Sequence, residues 1–211
     1  MTDTALIPSA LQLPAAPRAL VCHPATPCVL PLQIQVTLAG AGNEAGAGLL
    51  LRYELRGDMG RLRLPEPASP GPADGLWQHT CFEAFVARSG EPAYREFNFS
   101  PSGRWAAYRF SAERLRDEPA EAAQPPVVPD LHLERGTDSL TLRAWLPHHA
   151  LPDSTQGQPL EIGLTAVIET TDGQLSYWAL CHPNERPDFH HRGGFQPSPD
   201  LPHFLPNSAP T

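Results

Sequence analysis

Three kinds of side chain in this sequence could do chemistry: histidines, tryptophans, and carboxylates set inside apolar strands. Histidine occurs at His79, then late in the chain as His182-Pro183 and Pro187-Asp188-Phe189-His190-His191-Arg192. If the last strands return beside the middle of a sheet, these rings line one pocket. A metal site needs at least three convergent ligands. The sequence holds no HExxH and no two-His-one-carboxylate run, so no metal is assigned. The tryptophans Trp77, Trp105, Trp145 and Trp178 all fall in or beside predicted strands. A flat ring against the apolar face of a sugar, with amide and carboxylate groups for its hydroxyls, is the chemistry of carbohydrate recognition. Trp77 or Trp105, with Glu83, Glu96, Asn98 and Arg104, supplies those groups. A strand tryptophan is nevertheless more often a core residue.

Glu83, Glu96 and Glu169 raise a third chemistry. Two carboxylates about 5–10 Å apart can hydrolyse a glycoside. Spacing in sequence does not bring them together, and paired structural carboxylates account for them equally. No nucleophile elbow, P-loop or dinucleotide fingerprint is present. Haem is the fourth. Covalent attachment is excluded by the lack of CxxCH. Non-covalent haem needs an axial His, or His with Met, and the donors on offer are His79, His182, His190, His191 and Met59.

These residues are carried by a chain that reads as strands. The stretch from Leu76 to Ala87 is taken as one long strand. Leu76, Gln78, Thr80, Phe82, Ala84 and Val86 share one face, and Trp77, His79, Cys81, Glu83 and Phe85 the other. Polar groups inside an apolar strand fit one that lines a cavity. Tyr94 to Ser100 puts Phe97 and Phe99 opposite Glu96 and Asn98, and Arg104 to Phe110 returns after the turn Pro101-Ser102-Gly103. Leu32 to Leu38 alternates without a break, as does Leu160 to Glu169. Leu20 to Cys22 and Leu49 to Leu55 are further strands. So are Leu131 to Glu134, Ser139 to Leu146, and Leu175 to Leu180. Ala112 to Ala123 has helical composition but room for a turn or two only. About ten strands spaced by turn residues predict an all-β, two-sheet antiparallel β-sandwich with very little helix.

The 26 prolines and 16 glycines agree with short strands and many turns rather than a bundle of helices. A net charge of −8 without a basic run excludes nucleic acid and anionic membranes as partners. No stretch approaches a membrane span. The N-terminus carries Asp3 where a secretory signal needs bases, so a cytoplasmic protein with reduced thiols is expected. Cys22 and Cys28 are close enough in sequence to pair, while Cys81 and Cys181 read as buried thiols. Residues 1–18 form a flexible N-terminal segment, 19–195 one domain, and 196–211 a Pro-rich irregular tail.

Leu76 to Ala87, Tyr94-Arg95-Glu96-Phe97-Asn98-Phe99-Ser100-Pro101-Ser102-Gly103, and Ala144-Trp145-Leu146-Pro147 with Leu151 together resemble the DOMON-like superfamily. That group includes the family 9 carbohydrate-binding modules and the haem-binding domains of some cytochromes. A bacterial branch is similar also at Ser176-Tyr177-Trp178-Ala179-Leu180 and Pro187-Asp188-Phe189-His190-His191. The resemblance implies a sandwich with its ligand on one concave sheet face, sugar or haem as ligand class, and no catalysis. The expected binding residues are Trp77, His79, Glu83, Glu96, Asn98, Trp105, His182, His190 and His191. The carboxylate-bearing face favours a sugar or other polar small molecule over haem, because carboxylates beside a haem are costly to bury. A glycoside hydrolase and a sheet face that docks a protein partner are the rival readings.

Overall fold

A computed structural model describes residues 10–11, 16–43, 46–152 and 158–198. Its strands are β1 (Ala10–Leu11), β2 (Arg18–Cys22), β3 (Gln33–Asn43), β4 (Gly46–Arg56), β5 (Gly71–Pro72), β6 (Cys81–Arg88) and β7 (Tyr94–Phe99). They continue as β8 (Arg104–Ala112), β9 (Leu115–Arg116), β10 (Asp130–Arg135), β11 (Ser139–Pro147), β12 (Leu160–Glu169), β13 (Leu175–Ala179) and β14 (Gln196–Pro197). The α-helix among the described residues is α1 (Glu118–Ala122), with Asp117 capping Ala120 N–H at 3.1 Å. No helix among the described residues is long and apolar enough to cross a membrane.

Hydrogen bonding joins the strands into one curled sheet, in the order β10-β11-β4-β3-β2-β13-β12-β6-β7-β8-β5. The mostly-β content expected from sequence holds, and the hydrogen-bonded path runs through two limbs. The limbs meet at a narrow seam, where β2 pairs with β13 through Cys22 with Trp178 and Val21 with Ala179. Neighbours are antiparallel except β5 against β8.

The alternating stretches build the core. On β3, Ile34, Val36 and Leu38 point inward; on β4, Leu49, Leu51, Tyr53 and Leu55 do the same. They pack on Phe82, Ala84 and Val86 of β6 and on Leu160, Ile162, Leu164 and Ala166 of β12. Tyr53 crosses this core and donates its hydroxyl to the Glu83 carbonyl at 2.7 Å, tying one limb to the other.

The stretch taken as one strand from Leu76 divides in two. Leu76–Gln78 is a 3-10 turn, and the strand begins only at Cys81. Gly75 sets the turn with φ of 72°, a left-handed conformation that few residues but glycine adopt readily. Gln78 N–H then bonds to Gly75 O at 3.1 Å. From Cys81 onward the predicted alternation holds, with Phe82, Ala84 and Val86 in the core and Glu83 and Phe85 on the outer face.

β6 is buried along its whole length because its outer face is also covered. The C-terminal strap, residues 183–197, crosses it and ends in β14 against Glu161 and Ile162 of β12. Gln196 and Pro197, expected in an irregular tail, are therefore paired strand, while residues 199–211 lie outside the described residues. So does most of the predicted flexible segment 1–18, although Ala10–Leu11 pairs with β3. Arg192 fastens the strap through Glu161 Oε2 and Glu91 O, both at 2.7 Å. Phe195 packs over Gly163, where an added Cβ would stand 3.0 Å from the ring. A Gly163→Val variant is therefore expected to lose about 2 kcal/mol in urea unfolding. Loss of Phe195 contacts with Phe85 and Tyr94 should accompany it in side-chain NMR.

Candidate functional site

Strand alternation places one set of residues on the outer face of the limb holding β6, β7, β8 and β12. Glu83 and Phe85 come from β6, Glu96 and Asn98 from β7, Tyr108 and Phe110 from β8, and Thr165 and Val167 from β12. The strap, the 3-10 turn at Trp77, and the β8–β9 turn form walls around this floor. The result is a pocket of about 370 Å³, with Trp77 and Tyr108 on one side and Phe189 and His190 on the other.

Its floor carries two carboxyls. Register sets Glu83 directly opposite Asn98, with Glu96 diagonal to it across the same pair of strands. Glu83 is 2 % and Glu96 5 % exposed. Asn98 Nδ2 donates to Glu96 Oε1 at 2.8 Å, and Thr165 Oγ1 donates to Glu83 Oε2 at 3.2 Å. Glu83 Oε1 and Asn98 Oδ1 are buried without a hydrogen-bond partner. Burial, then the neighbouring Glu96 charge, raises the Glu83 pKa well above the usual carboxylate range. Burial likewise pushes Glu96 up to about 7, although the Asn98 hydrogen bond works against it. At neutral pH this floor is thus at least partly protonated.

A chain of hydrogen bonds fixes His190. Arg114 N–H donates to the Tyr94 hydroxyl at 3.1 Å, and that hydroxyl shares a hydrogen bond with His190 Nδ1 at 2.7 Å. Burial lowers the His190 pKa to about 4, so the ring is neutral at neutral pH. Nε2 faces Glu96 Oε2 across 3.8 Å, too far for a hydrogen bond. A polar atom of a ligand can reach both. Arg114 holds φ of 57°, a backbone conformation that a non-glycine residue adopts only when its surroundings enforce it. The enforcing contacts are Tyr94 and the ion pair of Arg114 Nη2 with Asp188 Oδ1 at 2.6 Å. Arg116 pairs with Glu121 and lies 4.5 Å from the Tyr108 ring centroid. Tyr108 donates to Asp74 Oδ1 at 2.7 Å.

Of the residues expected from sequence, the structure brings Trp77, Glu83, Glu96 and His190 to this pocket, with Asn98 beneath it. The others stand elsewhere. Trp105 faces the core on the opposite side of β8 and donates Nε1–H to Val127 O at 3.2 Å. Glu169 takes His79 Nδ1 at 2.8 Å and Arg63 Nη1 at 2.9 Å, beyond the N-terminal end of β6. His182 donates to Val21 O at 2.8 Å beside His23, and burial lowers its pKa. His191 accepts from Gly193 N–H at 3.1 Å and caps the turn Arg192–Gly194. Met59 packs against the main core. The axial-ligand candidates for haem are thus dispersed. No three His, Cys, Asp or Glu side chains among the described residues are grouped as a metal site requires. Cys22 and Cys28 are free thiols. Cys181, expected to be buried, is exposed.

Sequence reading missed Tyr108, Phe110, Arg114, Arg116 and Phe189 as pocket residues. Tyr108 and Phe110 were recoverable, because the alternation of β8 sets them on the face opposite Trp105. Arg114 and Arg116 carried no signal, since they lie in a charged connection whose path only the fold reveals.

No protein-family model matches this chain, and no curated protein matches it in sequence. Solved structures do share its fold. A protein of Bacteroides uniformis assigned to carbohydrate binding superposes with a TM-score of 0.60 at 19% identity, covering 88% of this chain and 84% of that one. A family 9 carbohydrate-binding module from Caldicellulosiruptor kristjanssonii, in complex with cellotriose, gives 0.53 at 10% identity, over 86% and 77%. The curled, mostly β architecture of this chain is therefore one that carbohydrate-binding proteins also use.

Proposed function

We propose that the chain is a non-catalytic binding domain of DOMON-like type that takes a sugar, or another polar small molecule, in the outer-face pocket. The observation that carries this is the pairing of an exposed Trp77 ring with a buried floor of Glu83, Asn98 and Glu96. Trp77 is 43% exposed, an unusual state for so large an apolar side chain unless something packs on it. Its ring meets Tyr108 edge-on with 6.1 Å between centroids, which holds its orientation. Aromatic face and convergent hydrogen-bonding groups are what a pyranose requires.

Hydrolysis fits less well. Glu83 and Glu96 lie side by side on neighbouring strands of one floor, and both are biased toward the protonated form. A glycosidase needs its two carboxyls on either side of the scissile bond, with one of them ionised. The haem reading has a single candidate ring in the pocket, His190, whose Nε2 lies 3.8 Å from the buried Glu96 carboxyl, a polar group costly to cover with a porphyrin.

Glucose and cellotriose are expected to quench tryptophan fluorescence of the protein. A Trp77→Ala variant should bind at least about tenfold more weakly, the scale of one lost stacking contact. Its melting temperature should stay within about 2 °C of wild type, because an exposed ring adds little to stability. Undiminished binding by Trp77→Ala would remove the reading.

A further inference from the structure

We infer that the ligand of this pocket is an amino sugar, whose protonated amine sits between Glu83 and Glu96 while its ring lies on Trp77. This rests on the sugar-binding reading above and narrows it to a chemical class.

The first argument is the arrangement of acceptors. Glu83 lines the pocket, and its Oε1 is buried without a hydrogen-bond partner. Glu96 Oε2 stands 3.8 Å from the nearest histidine nitrogen. Once either carboxyl ionises, a sugar hydroxyl can donate to it but carries no charge to offset it. An ammonium group brings three donors and no acceptor.

Charge is the second argument. Arg114 and Arg116 line the pocket, but each is already paired, with Asp188 and Glu121. Asp74 adds a further acid behind Tyr108. His190 is neutral and adds nothing positive. The surroundings are therefore net acidic, as is the chain at −8. The walls supply the third argument. Trp77, Tyr108, Phe110 and Phe189 surround the floor with aromatic rings, whose faces attract a cation.

The groups facing Glu96 are Glu83 from β6, Tyr94 and Tyr108 from β7 and β8, Arg114 and Arg116 from the β8–β9 segment, Glu121 from α1, and His190 from the strap. Within this set Glu83 and Glu96 hold the protons that a cation can displace. Amine binding near pH 6 therefore releases protons to solvent.

The test is calorimetric titration of the purified protein at pH 6 with glucosamine, glucose and N-acetylglucosamine, in two buffers of different ionisation enthalpy. Glucosamine should bind at least about tenfold more tightly than the two neutral sugars, the scale of one charge-assisted hydrogen bond. Its heat should depend on the buffer, reporting proton release. Glu96→Gln, checked as folded by thermal melting, should narrow the ratio between glucosamine and glucose to less than about threefold; Glu83→Gln is the second variant. Equal binding of glucosamine and glucose by the wild-type protein would overturn the inference and leave the sugar site standing. A preference that survives in both variants would also overturn it. No binding of any of the three sugars would overturn the inference and the sugar site together.

Discussion

A Glu96→Gln variant is expected to gain stability over the wild-type protein as the pH rises, by about 3 kcal/mol between pH 4 and pH 8. The sign follows from burial. A carboxyl whose pKa is higher in the folded chain binds its proton more tightly there than in the unfolded one. Its contribution is fully present below the ordinary value of 4.5 and is lost as the pH climbs through the folded value of about 7. That interval, at about 1.4 kcal/mol per pH unit, gives the magnitude. Glutamine keeps the shape, accepts from Asn98, and has no charge to bury. Glu83→Gln should act in the same direction, since burial and the Glu96 charge raise the Glu83 pKa as well. His190 works oppositely: its pKa is lowered to about 4, so its contribution is present above the ordinary 6.5 and lost as the pH falls toward 4. The wild-type curve is thus held down on both sides by groups in one pocket. Urea unfolding of both proteins across this range gives the difference directly, and a difference that does not change with pH would refute the burial argument.

The second large effect lies at the end of β6. Arg88 is 2 % exposed, and its guanidinium donates to backbone carbonyls: Nε and Nη2 to Pro152 O at 3.2 and 2.7 Å, and Nη1 to Gln158 O at 2.7 Å. It clamps the chain on both sides of residues 153–157, just before β12 starts. Arg88→Ala should cost about 4 kcal/mol, because it leaves desolvated carbonyls and a cavity together. Arg88→Lys keeps the charge but not the planar fork, and should recover less than half of that loss. Equilibrium unfolding measures both. A loss below about 1 kcal/mol for the alanine variant would show that those carbonyls find other partners.

The strands that could be read from sequence were those whose core-facing positions recur at every second residue. Leu32 to Leu38 alternates because it packs one side on the shared core, and the structure returns it as β3; Leu160 to Glu169 returns as β12, although its outer face is covered as well. Leu131 to Glu134 and Ser139 to Leu146 return as the antiparallel neighbours β10 and β11. Leu76 to Gln78 misled because an apolar run has the same composition whether it is a strand or a turn that packs on one. Only Gly75, in a left-handed conformation, marks the difference. The site was half legible for a related reason. Alternation showed that Glu83 and Glu96 leave the core, since the flanking Phe82 and Phe97 must enter it. It could not show that His190 and Phe189 would be laid over them from about a hundred residues away. Nor could it tell Trp77, left at the rim, from Trp105, turned inward.

The seam between β2 and β13 has a consequence for how the molecule is made. Val21 and Cys22 bond to residues more than 150 positions later, so the curl cannot close until nearly all of the described chain has left the ribosome. Until then β2 waits with one side unpaired. A chain shortened past Cys22 would never close. It would present β3 and β13 as two open edges of one sheet, each a template for a second molecule, and would be expected to polymerise rather than merely lose stability.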